Sequence, residues 1–278
     1  MKPSPFAYAR AASVAEALAL HAAAGDGARY LAGGQSLLAA LNFRLDAPPA
    51  LIDIGRIESL RGITVQGGVV RIGALTRHAD VLASPVIAQH LPLIAEAMRQ
   101  VAHPAIRNRG TFGGSVALAD PAAEMPACCL ALGATMVIAA PGGERRVAAD
   151  DFFLGLYETA LEPGELLTAV EIPLPEVGSR HAFGEVARRH GDYALAGLAL
   201  MVGPGRAWAR AVFFGIADRP VRSPEAEAAI VAGADAGAVA VATEGIEVSG
   251  DPSTDSATRR HLAGVLLRRA LARLEGGA

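Results

Sequence analysis

Ala32-Gly33-Gly34-Gln35-Ser36-Leu37 and, about 80 residues later, Thr111-Phe112-Gly113-Gly114-Ser115 share one grammar: a glycine pair, then a small polar residue, beside the start of a regular element. Glycine reaches positive φ without strain and puts no side chain between the backbone amides and an approaching ligand. Consecutive exposed amides make a concave anion site, strengthened where a helix begins. One such segment alone reads as an ordinary strand-to-helix turn. Two of them, each at the edge of an α/β unit, suit a diphosphate with its two anionic centres. Arg107 and Arg109, just before the second turn, either add positive charge there or are simply solvated. The usual dinucleotide signature is missing: no Gly-x-Gly-x-x-Gly follows a strand and there is no Walker lysine, so a nucleotide here is not held in Rossmann fashion.

Outward from the first turn, Ser13 with Glu16 three residues on reads as a capping box opening an amphipathic helix that ends near Gly25. Ala28 to Leu31 reads as a strand, Leu37 to Leu45 as a helix, and Ala50 to Asp53 as a second strand. Residues 1–55 thus form a small α/β lobe. A second lobe, 56–175, opens on a hairpin around Gly67-Gly68. Helix follows from Arg77 to about Val101, broken by Pro85 and Pro92. Beyond the second glycine turn, Asp120-Pro121 reads as a helix start, with strands at Ala134–Ala139 and Leu166–Ile172. Pro173-Leu174-Pro175 marks the domain boundary. Residues 176–278 then give three antiparallel strands (Phe183–Ala187, Leu195–Val202, Ala207–Ile216) and three helices. Arg259, Arg260, Arg268, Arg269 and Arg273 of the last helix read as a solvated or partner-facing surface.

Composition limits the function. With 278 residues, 52% apolar and 19% charged, the chain has material for two or three packed lobes. A net charge of −3 gives no general attraction to nucleic acid. No run of 18 apolar residues is present, so a membrane span is not expected. The Ala/Leu-rich N-terminus carries Glu16 and His21 and lacks a basic leader. Cys128 and Cys129, the only cysteines, cannot supply the four thiolates of an iron–sulphur cluster, and a reducing, cytoplasmic setting fits them. The seven histidines are scattered, so no metal site is expected.

Taken in order, Phe6-Ala7-Tyr8, the two glycine motifs, Asp120-Pro121-Ala122-Ala123-Glu124-Met125-Pro126, Glu165-Leu166-Leu167, Val170-Glu171-Ile172-Pro173 and Arg188-Arg189 with Asp192 resemble one family. It is the medium, FAD-binding subunit of molybdenum hydroxylases of the carbon monoxide dehydrogenase, xanthine dehydrogenase and quinoline oxidoreductase type. The resemblance covers almost the whole chain and weakens after about Gly215. It implies an α+β fold: a two-lobed PCMH-type FAD-binding domain, 1–175, and a C-terminal domain, 176–278, of a three-stranded antiparallel sheet packed with helices. It implies that Ala32, Gly33, Gly34, Gln35, Ser36 and Leu37, with Thr111, Phe112, Gly113, Gly114 and Ser115, wrap the FAD diphosphate. Glu124 matches an acidic residue bonded to flavin-side hydroxyls in relatives; on the residues alone it equally complements a helix dipole. Leu167 matches a residue packed on the isoalloxazine, or is an ordinary strand leucine. Tyr193 matches a residue beside the ring, or is a core tyrosine. Gly184 departs from xanthine dehydrogenases that carry lysine there, and Gln35 replaces the histidine of covalent flavoproteins, so the FAD is expected to be non-covalent.

The resemblance also implies the work. A large molybdopterin subunit hydroxylates the substrate, a small [2Fe–2S] subunit relays electrons, and this chain passes them through FAD to an external acceptor, in a dimer of heterotrimers with no catalytic acid or base of its own. A stand-alone PCMH-fold flavin reductase would need its own proton donor after Pro175, and a flavin-free structural subunit would be colourless.

Overall fold

The computed structural model describes residues 2–276, without the side chains of 240–242. The first lobe is a parallel sheet in the order β1-β3-β2, where β1 is Ala7–Arg10, β2 Arg29–Leu31 and β3 Ala50–Asp53. Helix α1 (Val14–Ala24) begins where Ser13 Oγ accepts the Glu16 N–H at 3.1 Å and stops at Gly25, at φ +87°. The reciprocal arm of the box reaches one residue further back: Glu16 Oε2 accepts from the Ala12 N–H at 2.7 Å. Helix α2 (Leu37–Asn42) is shorter than the leucine spacing suggests; Leu45 lies outside it, 81% exposed.

The second lobe is an antiparallel sheet ordered β4-β5-β10-β6-β7, comprising β4 (Ile63–Gln66), β5 (Val69–Gly73), β6 (Thr135–Ala140), β7 (Gly143–Ala148) and β10 (Leu166–Pro173); a small hairpin, β8 (Phe153–Gly155) with β9 (Glu158–Thr159), sits beside it. The proline-broken helical stretch resolves into α3 (His78–Ala83), α4 (Pro85–His90) and α5 (Pro92–Ala97). Short helices α6 (Pro104–Arg107) and α7 (Phe112–Leu118) precede α8 (Glu124–Ala131) and α9 (Ala149–Phe152).

Two expectations change here. The second glycine pair is not a turn: Gly113 and Gly114 lie in the first turn of α7, capped by Thr111. Nor does a helix start at Pro121. Asp120 Oδ1 instead accepts the Ala122 N–H at 2.9 Å, closing a local turn, and α8 begins at Glu124.

The C-terminal sheet, ordered β11-β12-β13-β14, consists of β11 (Arg180–Ala187), β12 (Ala194–Val202), β13 (Ala209–Phe214) and the two-residue β14 (Val221–Arg222), so a fourth short strand joins the expected three. Its faces divide by residue parity. Ala182, Leu198 and Phe213 pack under α10 (Pro224–Val231), α11 (Ala236–Val241) and α12 (Ser256–Gly276). Phe183, Ala199 and Phe214 join the core of the second lobe.

Three of the α12 arginines are engaged within the chain. Arg259 donates to the Gly215 carbonyl at 2.6 Å and pairs with Asp251; Arg260 donates to the carbonyls of Glu244 and Ile246 at 2.7 Å; Arg273 grips Glu96. Arg268, Arg269 and Arg273 are exposed, as expected of a solvated surface, whereas Arg259 and Arg260 are half-buried.

Candidate functional site

Strand β2 runs directly into Ala32, so the first glycine segment sits at the carboxyl end of the parallel sheet, where open sheets present their loops to ligands. Gly34 is at φ +72°, a conformation that side chains rarely adopt. Gln35 fastens the turn by donating from Nε2 to the Gly33 carbonyl at 3.0 Å. Among the described residues, the N–H groups of Gly33, Gly34, Gln35 and Ser36 have no acceptor within the chain. Gly33, Gly34 and Gln35 are half-buried and Ser36 is exposed, so these donors are open to water or to a ligand from outside the chain. Since α2 has only six residues, the cradle is made by these amides more than by a helix dipole.

The second segment works differently from the expectation of exposed amides. Phe112 N–H donates to Thr76 O and Gly113 N–H to Ala74 O, both at 2.9 Å; Gly114 N–H is taken by Thr111 Oγ1 at 3.1 Å and Ser115 N–H by Thr111 O at 3.1 Å. Thr111 is buried with its hydroxyl accepting from Gly114, and Ser115 is half-buried. Gly113 is glycine for packing: a Cβ there would meet Ala74 Cα at 2.6 Å.

Gly33 brings the two segments together. A Cβ built on it would lie 2.9 Å from Gly110 Cα and closer still to the Arg109 carbonyl oxygen, inside the 3.0 Å limit that real β-carbons respect. Gly114 in turn faces Ala32, its Cβ direction ending 4.0 Å from the Ala32 methyl. The lobes therefore meet backbone to backbone at the two motifs. Arg107 donates from Nη1 to the carbonyls of Val101 and Ala102 at 2.8 and 3.0 Å. Arg109 is exposed. The backbone N–H of His78 donates to the Gly110 carbonyl at 3.0 Å, and burial pushes its imidazole down to about 4.

The other predicted residues fall into two groups. Leu167 lies on β10 opposite Ile138, at a bulge before Ala169, and is 3% exposed, so the chain itself covers nearly all of the surface it would offer a ring. Glu124 opens α8, and burial raises its carboxyl to about 8, with the charges of Glu185 and Asp120 adding to the rise. Tyr193 is 67% exposed; its phenol is raised by partial burial and, to a smaller extent, by the charges of Asp120 and Glu124. Tyr193 lines a cleft of 520 Å³ with Asp120, Tyr157, Arg188 and Arg259.

Sequence reading missed Tyr157 and Glu185. Tyr157, at φ +56° in the β8–β9 turn, donates to Asp120 Oδ2 at 3.3 Å. Its position in Gly155-Leu156-Tyr157, a short apolar stretch at a turn, was the available signal. Glu185 lies on β11, and nothing in its neighbours distinguishes it before the strand is placed.

The profile described as the FAD binding domain in molybdopterin dehydrogenase matches residues 4–175, and that of the CO dehydrogenase flavoprotein C-terminal domain matches residues 181–274. The chain belongs to the FAD-binding medium subunits of the molybdenum hydroxylases. This medium subunit is 40% identical to the carbon monoxide dehydrogenase medium chain of Afipia carboxidovorans, over 100% of its own length and 99% of the relative. It is 38% identical to caffeine dehydrogenase subunit beta of a Pseudomonas species, covering 98% and 96%. In structure it is similar to a chain of quinoline 2-oxidoreductase from Pseudomonas putida 86, with a TM-score of 0.93, 38% identity, and 100% and 99% of the two chains covered. Its relatives are subunits of dehydrogenase and oxidoreductase complexes. Among the described residues of the medium subunit, no helix is long and apolar enough to cross a membrane.

Proposed function

We propose that this subunit holds non-covalent FAD with its pyrophosphate at the seam between Ala32–Leu37 and Thr111–Ser115. The flavin then relays electrons from a [2Fe–2S] partner subunit to an external acceptor. The supporting observation is the seam at Gly33, where a segment with four amides unpaired within the chain packs backbone to backbone on Arg109 and Gly110, just before the second glycine motif. Bound FAD supplies the ability to take electrons singly and release them in pairs. The chain's own residues bind and orient it. The Gly33–Ser36 amides neutralise the diphosphate, the Thr111 and Ser115 hydroxyls donate from the other lobe, and Glu124, Tyr193 and Leu167 bound the ring end. Substrate oxidation belongs, on this reading, to a large molybdopterin subunit, with the three chains paired as a dimer of heterotrimers in the cytoplasm.

Purification with the neighbouring chains tests this directly. The expected result is one FAD per medium subunit, reduced by the substrate only when the molybdenum and iron–sulphur subunits are present. A colourless complex, or reduction of the flavin by substrate in this subunit alone, contradicts the reading.

A further inference from the structure

Arg188 and Arg189 take no part in the proposed FAD cradle. They lie in the loop between β11 and β12, just before Tyr193, with both side chains exposed. Backbone contacts fix where that loop sits. Gly191, at φ +85°, has no room for a Cβ: one there would meet the Ala102 carbonyl oxygen at 2.8 Å and the His103 ring at 2.9 Å. The loop is therefore seated on the turn that follows α5. From His103 the chain passes through α6 to Arg109 and Gly110, which pack on Gly33, and then to Thr111, bridged to Arg77. Arg188 also lines the 520 Å³ cleft, together with Tyr157 and Tyr193.

Elsewhere the chain gives its arginines partners: Arg145 has Glu165, Arg222 has Asp150 and Glu227, and Arg260 has backbone carbonyls. At this loop it does not. Among the described residues, Arg99, Arg188 and Arg189 have neither a carboxylate nor a carbonyl partner, and all are exposed. Arg107, spent on two backbone carbonyls, adds a further positive charge. The loop's own carboxylate is Asp192. Inside the cleft, Asp251 pairs with Arg259, and Asp120 is taken up by the Ala122 amide and the Tyr157 hydroxyl. The excess at the mouth is therefore positive. Unmatched guanidinium groups beside a concave site raise the local concentration of anions and speed their arrival. The FAD diphosphate is a poor candidate for that anion, because its proposed cradle lies at the other end of this path, at Gly33–Ser36.

We propose that Arg188 and Arg189, with Arg99, form the entry for an anionic electron acceptor, a small polyanion drawn to the cleft beside Tyr193. This rests on the reading that FAD lies at the seam with Tyr193 bounding its ring end. A neutral acceptor gains nothing from these charges, and a cationic one is repelled.

Two measurements test it. In the first, hexacyanochromate(III), a paramagnetic trianion, is titrated into the flavin-free full chain and followed by amide NMR. The resonances of residues 99–103 and 188–193 should broaden at low salt and recover at about 0.5 M salt, while a neutral paramagnetic chelate shows no such preference. In the second, the flavin-loaded complex is photoreduced and mixed with ferricyanide. Two ferricyanide ions take the two electrons of each reduced flavin and leave as ferrocyanide, and the protons of the ring pass to solvent. The second-order rate constant should fall about tenfold between roughly 0.01 M and 0.5 M salt, against no change with benzoquinone. Arg188→Gln/Arg189→Gln should lose most of both effects. Arg268→Gln/Arg269→Gln removes the same charge from α12, about 13 Å along the helix from Arg259, and should keep them. Broadening no stronger at 188–193 than at 268–269, a ferricyanide rate that is flat with salt, or equal losses in the two variants overturns the inference and leaves FAD binding intact. A complex that takes up no FAD overturns the underlying reading instead, and the hexacyanochromate titration then still decides whether the loop binds anions.

Discussion

Gly33→Ala is the sharpest perturbation of the seam. Gly33 is not at positive φ, so alanine brings no backbone strain of its own and the effect is steric. The new methyl would meet only backbone: the Arg109 carbonyl, and Gly110 Cα at 2.9 Å. No flexible side chain is there to swing away, so the lobes have to separate. Overpacking of this kind costs about 1–3 kcal/mol. If FAD binds across the seam, the same strain appears in affinity, as a weakening of roughly 5–150-fold at about 1.4 kcal/mol per decade. The control is Gly114→Ala, whose methyl meets the Thr111 hydroxyl at 2.7 Å, a group that can rotate. Its cost is closer to that of a lost helix cap, about 1 kcal/mol. FAD titration followed by flavin fluorescence, with thermal melting of both flavin-free variants, reads the two effects. Wild-type affinity and melting temperature in Gly33→Ala would refute the idea that lobe contact sets the cradle.

Other outcomes follow from the packing and the charges. Gly197→Ala places a methyl 2.5 Å from Phe214 Cε2, so unfolding should be eased by about 1–3 kcal/mol while the folded fraction keeps its flavin; an unchanged urea midpoint contradicts this. Glu165 accepts two hydrogen bonds from Arg145, which holds its carboxyl below the ordinary carboxylate range. The contribution is therefore present above that range and lost as acid protonates Glu165. With Arg145 partly exposed, Glu165→Gln should cost about 1 kcal/mol at neutral pH and nothing in acid, as urea unfolding at the two pH values would show. Cys128 and Cys129 are fully buried, with burial raising both thiols, so neither should react with a soluble thiol reagent until the chain unfolds; fast labelling of the native protein contradicts that.

The sequence carries the elements that local chemistry dictates. Ser13 and Gly25 bound α1, Gly67-Gly68 turns the hairpin, and Pro85 and Pro92 divide the helices, because each acts through its own backbone. It misleads where two local rules compete. Asp120-Pro121 resembles a helix start, yet the Asp120 carboxylate is committed to the Ala122 amide and to Tyr157. Gly-Gly at 113–114 resembles a turn, yet both residues are helical, and Gly113 is glycine because Ala74 packs where its Cβ would be. The polar strand β7 shows no apolar alternation, since it pairs along one edge only with β6. Glu185 is invisible for a different reason: it is half-buried only once β11 packs between α5 and α12, elements far from it in the chain.

A crystal structure of the FAD-bound subunit tests the central claim most directly. The account predicts phosphate oxygens within hydrogen-bond reach of the Gly33–Ser36 amides and of the Thr111 or Ser115 hydroxyls. A pyrophosphate seated away from both segments, with those amides turned to solvent, would contradict it.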